Sequence, residues 1–167
     1  MKSNLLLSSL LVLAVASSGI DLRAEPALGK AADNKIHAQT LVNQQTGKKE
    51  NSDLYILGLH AVAPGAADQT MIACNLDRIG KADTDDDKSV TQLHRTLIFQ
   101  KLSQPEIFEV LIPLKDASGN VIGMAVFVYN GFKTGSDETS YYLRSVKMRD
   151  EMARVTPSHR ALFQPAR

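Results

Sequence analysis

Apolar and polar positions alternate most regularly between residues 108 and 129. Phe108, Val110, Ile112 and Leu114 alternate with Glu109, Leu111 and Pro113, the period of two that puts one set of side chains on one face of a strand. A cluster of turn formers follows, Lys115-Asp116-Ala117-Ser118-Gly119-Asn120, and then an apolar run from Val121 to Tyr129 that keeps no polar phase. This pattern predicts an antiparallel hairpin whose second strand is central and covered on both faces. Asp116 can brace the turn through its own backbone, and Gly119 can supply the positive φ of a tight loop. With the turn centred on Ala117 and Ser118, Ile112 falls opposite Gly123, where a missing side chain lets another group come close.

The same reading extends outward. Residues 34–45 carry a sparse helical stripe of Ile36, Leu41 and Val42, ended by Thr46-Gly47-Lys48-Lys49. Residues 54–63 predict a strand with Leu54, Ile56, Gly58, His60 and Val62 on one face. After Pro64-Gly65, residues 70–75 return as a second strand. A loop from 75 to 81 follows, and a helix opens in the acidic run Asp83-Thr84-Asp85-Asp86-Asp87 and continues to about Arg95. Carboxylates in a first turn suit the positive end of a helix, with Asp83 or Thr84 as its cap. Residues 97–102 predict an edge strand, and Pro105 breaks the chain before the hairpin. Ser136 is placed to cap a final helix striped by Tyr141, Met148, Met152 and Val155, with Tyr142 and Val146 beside it. The order is helix, two strands, helix, three strands, helix. The fold class is α+β, with a five-stranded antiparallel sheet flanked by N- and C-terminal helices.

Composition changes this picture at the ends. Met1 and Lys2, an apolar run over residues 5–16, and Leu22-Arg23-Ala24 before Glu25 read as a secretory signal peptide over residues 1–24. Ser17-Ser18-Gly19 offers a competing cut, and an uncleaved anchor is the competing reading of the segment. Residues 25–33 read as a flexible leader, 34–156 as the domain, and 157–167 as a loose tail. The precursor holds 19 basic and 18 acidic side chains; loss of Lys2, Arg23 and Asp21 leaves them balanced. A nucleic-acid partner, which calls for a basic surplus, is not expected. With the signal peptide cleaved, the mature chain is expected in the periplasm or outside the cell, and soluble there because no later apolar run is long enough to span a bilayer. Cys74 is the single cysteine, in an apolar strand, where burial is the expectation.

Three stretches together resemble single Cache domains, PAS-like sensor domains found outside the bacterial inner membrane. They are Leu57-Gly58-Leu59-His60-Ala61, Ile72-Ala73-Cys74-Asn75 with Arg78-Ile79-Gly80-Lys81, and Pro113-Leu114-Lys115-Asp116-Ala117-Ser118-Gly119-Asn120-Val121-Ile122-Gly123. The resemblance covers roughly residues 34–155. It implies a small-molecule pocket between one sheet face and the loops over it. The chain has no clear counterpart of the Arg, Trp, Tyr and Asp set with which amino-acid-binding Cache domains grip their ligand, nor of a receptor's second membrane span and output domain.

Six residues are candidates for lining such a pocket. His60 and Cys74 become cross-strand neighbours if the first hairpin turns near Ala66 and Ala67. Imidazole and thiolate also bind soft metals, but two ligands are too few for a closed zinc site, and a core histidine beside a buried thiol is the plainer reading. Arg78 and Lys81, in the loop after the second strand, can meet an anionic group such as a carboxylate or be solvated. Tyr55 and Tyr129 can offer hydroxyls or simply pack. The alternation Asp83, Asp85, Asp87 has Lys88 where a calcium loop needs glycine and His94 where it needs glutamate, so a solvated helix start is expected. No nucleophile elbow, zinc-protease helix, phosphate loop or dinucleotide fingerprint occurs. No metal, cofactor or enzymatic activity is expected. The expected function is an exported sensor-like domain that binds a small molecule under the loops at residues 64–69 and 76–83 and signals to a membrane receptor. A protein-binding or self-associating module without a ligand is the alternative, and a small hydrolase or thiol enzyme built on Cys74 and His60 the second.

Overall fold

The computed structural model describes residues 29–101 and 106–165. The signal-peptide reading of residues 1–24 and the expected end of the third strand at Leu102 lie outside them. Five strands form one antiparallel sheet in the order β2-β1-β5-β4-β3: β1 Leu54–Val62, β2 Gln69–Cys74, β3 Leu97–Lys101, β4 Ile107–Lys115 and β5 Val121–Asn130. The helices are α1 His37–Thr46, α2 Asp85–Leu93 and α3 Glu138–Arg154. The α+β architecture and the element order match the expectation, with β3 at an edge and β5 at the centre.

Alternation along β5 from Met124 onward, with a register shift before it that turns Ile122 to the other side, divides the interior into two layers. Ile122, Ala125, Phe127 and Tyr129 join the larger layer with Phe108, Val110, Ile112 and Leu114 of β4, roofed by α1 and α3. Met124, Val126 and Val128 face the other way, with Ile56, Met71, Cys74 and Leu111, under Val90 of α2. Both faces of β5 are therefore buried, as its unbroken apolar run requires. Three aromatic rings, Phe108, Phe132 and Tyr141, pack with centroids 5.1–5.8 Å apart at the α3 end of the larger layer.

The registers depart from the expected ones in informative ways. Leu114, not Ile112, pairs with Gly123, because the turn is wider and Lys115 already faces Val121. Asp116 holds that turn by accepting from the Ser118 and Asn120 amides, both at 2.9 Å, and Gly119 has φ 87°. In the first hairpin a bulge between Leu59 and His60 sets Gly58 opposite Cys74 and His60 opposite Met71. His60 and Cys74 are therefore not direct partners. A second irregularity, between Leu54 and Ile56 where β1 meets β5, turns Leu54 to the larger layer, away from the face of Ile56.

Residues 25–28 of the expected leader and 166–167 of the expected tail lie outside the described residues; the described parts of both segments are more firmly tied than their composition suggests. Gly29 pairs with Ile79, and Ala31–Asp33 form a short 3-10 turn. After α3, His159–Phe163 form another 3-10 turn that buries Leu162. The reason lies at α1, whose N-cap Ile36 has no side chain able to accept from the first turn. The Gln164 carbonyl accepts from the His37 amide at 2.7 Å instead, so the expected tail serves as the missing cap.

Candidate functional site

The layer beneath α2 is the thinner of the two, and ionisable side chains gather in it. His60 projects from β1 into this layer with only 1% of its surface exposed. Its Nδ1 stands 2.6 Å from Oδ1 of Asp83, a side chain with no exposure at all. The other Asp83 oxygen accepts from the Gln69 amide at 2.6 Å. The second ring nitrogen of His60, Nε2, is buried without a hydrogen-bond partner.

Local sequence explains how Asp83 arrives there. Thr84 caps α2: its hydroxyl accepts from the Asp87 amide, and an Asp87 carboxylate oxygen accepts from the Thr84 amide at 2.8 Å. This reciprocal capping box fixes the first turn. It turns Asp87 inward, where it is buried, and leaves Asp83 one residue outside the helix, aimed at the sheet. Asp85 and Asp86 remain exposed. The solvated helix start expected of this acidic run thus holds for two of its members; Asp83 and Asp87 point inward. One ligand atom from each of His60, Asp83 and Asp87 lies within 4.8 Å of the others.

Beyond Asp87 the layer opens into a groove of about 390 Å³ lined by Lys81, Thr84, Asp86, Asp87, Phe99, Glu109 and Leu111. Its floor is set by register, since Phe99 of β3 sits directly across from Glu109 of β4. Glu109 is partly buried, and loss of water pushes its carboxyl above the usual range. The Asp87 charge pushes in the same direction, while Lys81 and Arg78 act against both.

The six expected site residues divide between the two faces. Lys81 lines the groove, and Arg78 stands near enough to act on both Glu109 and Cys74. Cys74 lies in the same layer but is fully buried. Burial raises its thiol pKa, and Sγ accepts from the Leu76 amide at 3.4 Å. Tyr129 is on the opposite face, where its hydroxyl shares a 2.7 Å hydrogen bond with Ser145 of α3 and its ring lies under Arg144. Tyr55 is exposed and lines a separate groove with Glu106, Ile107 and Phe132. Sequence reasoning missed Gln69, Asp83, Asp87 and Glu109. The acidic run was the signal for two of them, but Glu109 in an alternating strand carried none.

The loop at residues 76–83 is hydrogen-bonded along β2. The Lys81 carbonyl accepts from the Met71 amide at 2.9 Å, and the Met71 carbonyl accepts from the Gly80 amide at 2.7 Å. Loop and β2 therefore run as a paired edge, also bridged between Thr70 and Ala82. The other element above this face, α2, buries Asp87 and Val90.

Among the described residues, no helix is long and apolar enough to cross a membrane. Comparison with known proteins finds no family model and no curated protein that matches the chain.

Proposed function

We propose that the chain is a sensor-type binding module acting outside the cytoplasm, which takes a small amine-bearing molecule into the groove between α2 and the β3–β4 edge. The observation that carries this reading is Glu109, a carboxylate held at a cost opposite Phe99 in an open groove. A perturbed ionisable group in a cleft is a candidate for a functional site. A cationic guest would offset that cost by pairing with Glu109 and Asp86, and would lie against the face of Phe99. Leu111 supplies apolar floor.

The resemblance to single Cache domains and the N-terminal signal-like segment support an exported sensor over an intracellular binder. With the 76–83 loop tied to β2, the element that responds is α2. A guest contacting Thr84, Asp86 and Asp87 would shift the helix only as far as it prefers one helix position over another. The receiving partner is a membrane receptor. A thermal-shift panel of small amines, carboxylates and neutral analogues in the presence of a chelator tests the reading. Stabilisation by amines alone, lost in Glu109→Gln, is the expected pattern. Stabilisation by carboxylates instead would move the ligand contact to Arg78 and Lys81.

Self-association has one observation in its favour, the edge strand β3 with Ile98 and Phe99 exposed. The apolar stripe of α3 does not add to it, because Met148 and Met152 are spent on the core. A concentration series by sedimentation decides it: a monomer throughout removes this reading.

A further inference from the structure

We infer that His60, Asp83 and Asp87 form a binding site for a divalent transition-metal ion of the zinc class, which fastens the start of α2 to β1. The site shares Asp87 with the groove of the amine reading, but the ion needs neither Phe99 nor Glu109.

Three observations converge on it. The ligand atoms lie within 4.8 Å of one another, near enough for small side-chain movements to bring them onto one ion. Each carboxylate is already oriented by a second group, Asp83 by the Gln69 amide and Asp87 by the Thr84 backbone amide. Such outer partners fix the ligands of metal sites. The imidazole is 1% exposed, so the ring that meets Asp83 through Nδ1 is shielded from water in a layer otherwise built of Met71, Met124, Cys74 and Val90.

The donor set indicates the class of ion. One imidazole and two carboxylates suit zinc, cobalt, nickel or manganese, whereas calcium asks for six or more oxygens. Three protein ligands leave a coordination position for water or an incoming group. The protein ligands must be unprotonated, so binding releases to solvent any proton they carry. The three ligands come from β1, the loop before α2 and the first turn of α2. The ion would therefore add a tether to a helix that otherwise buries one apolar side chain, Val90.

The test uses the mature chain, stripped with EDTA and dialysed, then titrated with ZnCl2 by calorimetry and with CoCl2 by visible absorption. One equivalent should bind with micromolar or tighter Kd and raise the thermal midpoint, and Co2+ should give the d–d bands of a low-coordinate site. Asp87→Asn, which keeps an oxygen for the Thr84 amide, should weaken binding by at least about tenfold, and His60→Gln by more. Glu109→Gln should change metal affinity far less than Asp87→Asn does while removing amine binding, so the two readings can fail separately. Absence of stoichiometric binding overturns the site. So does affinity that survives both Asp87→Asn and His60→Gln. If His60→Gln does not fold, Asp87→Asn and the cobalt spectrum carry the decision.

Discussion

Gly123 and His60 are packed so closely across β5 and β1 that a Cβ on Gly123 would stand 2.1 Å from the His60 carbonyl oxygen. The glycine also has φ 154°, which side chains rarely adopt. The atom it would strike is backbone and cannot swing aside. Gly123→Ala should therefore cost about 3 kcal/mol or more by chemical denaturation, at the severe end for one methyl group. A loss below about 1 kcal/mol would mean that the strands can part without consequence.

Tyr129→Phe distinguishes the two faces of the sheet. The substitution removes the hydroxyl that meets Ser145, while Ser145 keeps its bond to the Tyr141 carbonyl at 2.9 Å. The expected loss is about 1 kcal/mol of stability. Ligand and metal affinities, measured by titration, should not change, because Tyr129 faces α3. A weakened affinity would move the binding site to that face.

Much of this architecture can be read directly in the chain. The alternation of Phe108, Val110, Ile112 and Leu114, the two-sided run to Tyr129 and the Thr84 cap each state their own structure, because period and cap are local properties. The registers are not local. The bulge after Leu59 decides that His60 meets Met71, and no residue type announces it. The site was half visible for the same reason. His60, Cys74, Arg78 and Lys81 sit in strands and loops that sequence order already brings near one another. Gln69 and Glu109 enter only because β2 and β4 fold to opposite sides of the α2 start, across the sheet. The inward turn of Asp83 and Asp87 depends on the capping box selecting one side of a run of like charges.

Cys74 should behave as packing, not as a nucleophile. Its thiol is buried and its pKa raised by that burial, which keeps it in the unreactive protonated form. In the native protein a thiol-specific chromogenic reagent should react only at the rate of unfolding, and completely within mixing time in denaturant. Fast reaction under native conditions would revive the thiol-enzyme reading.

Asp116 should make stability fall in acid. The Asn120 side chain, and then the Asn120, Ser118 and Gly119 backbone amides, hold its carboxyl below the usual range in the folded state. A depressed folded pKa gives stability that is present above the unfolded value and lost as pH falls through the folded one. The stability gap between the native protein and Asp116→Ala should therefore be widest near neutrality and narrow in acid. A gap independent of pH would mean that the hydrogen bonds act without the charge.

The most direct test of the binding site is a backbone amide NMR titration of the chelator-treated protein with a series of small amines. The account expects saturable shifts confined to residues 81–87, Phe99 and residues 109–111, abolished in Glu109→Gln while the spectrum of the free variant stays folded. Shifts that never saturate, or that cluster on the α1–α3 face while the groove between α2 and β4 stays silent, would contradict it.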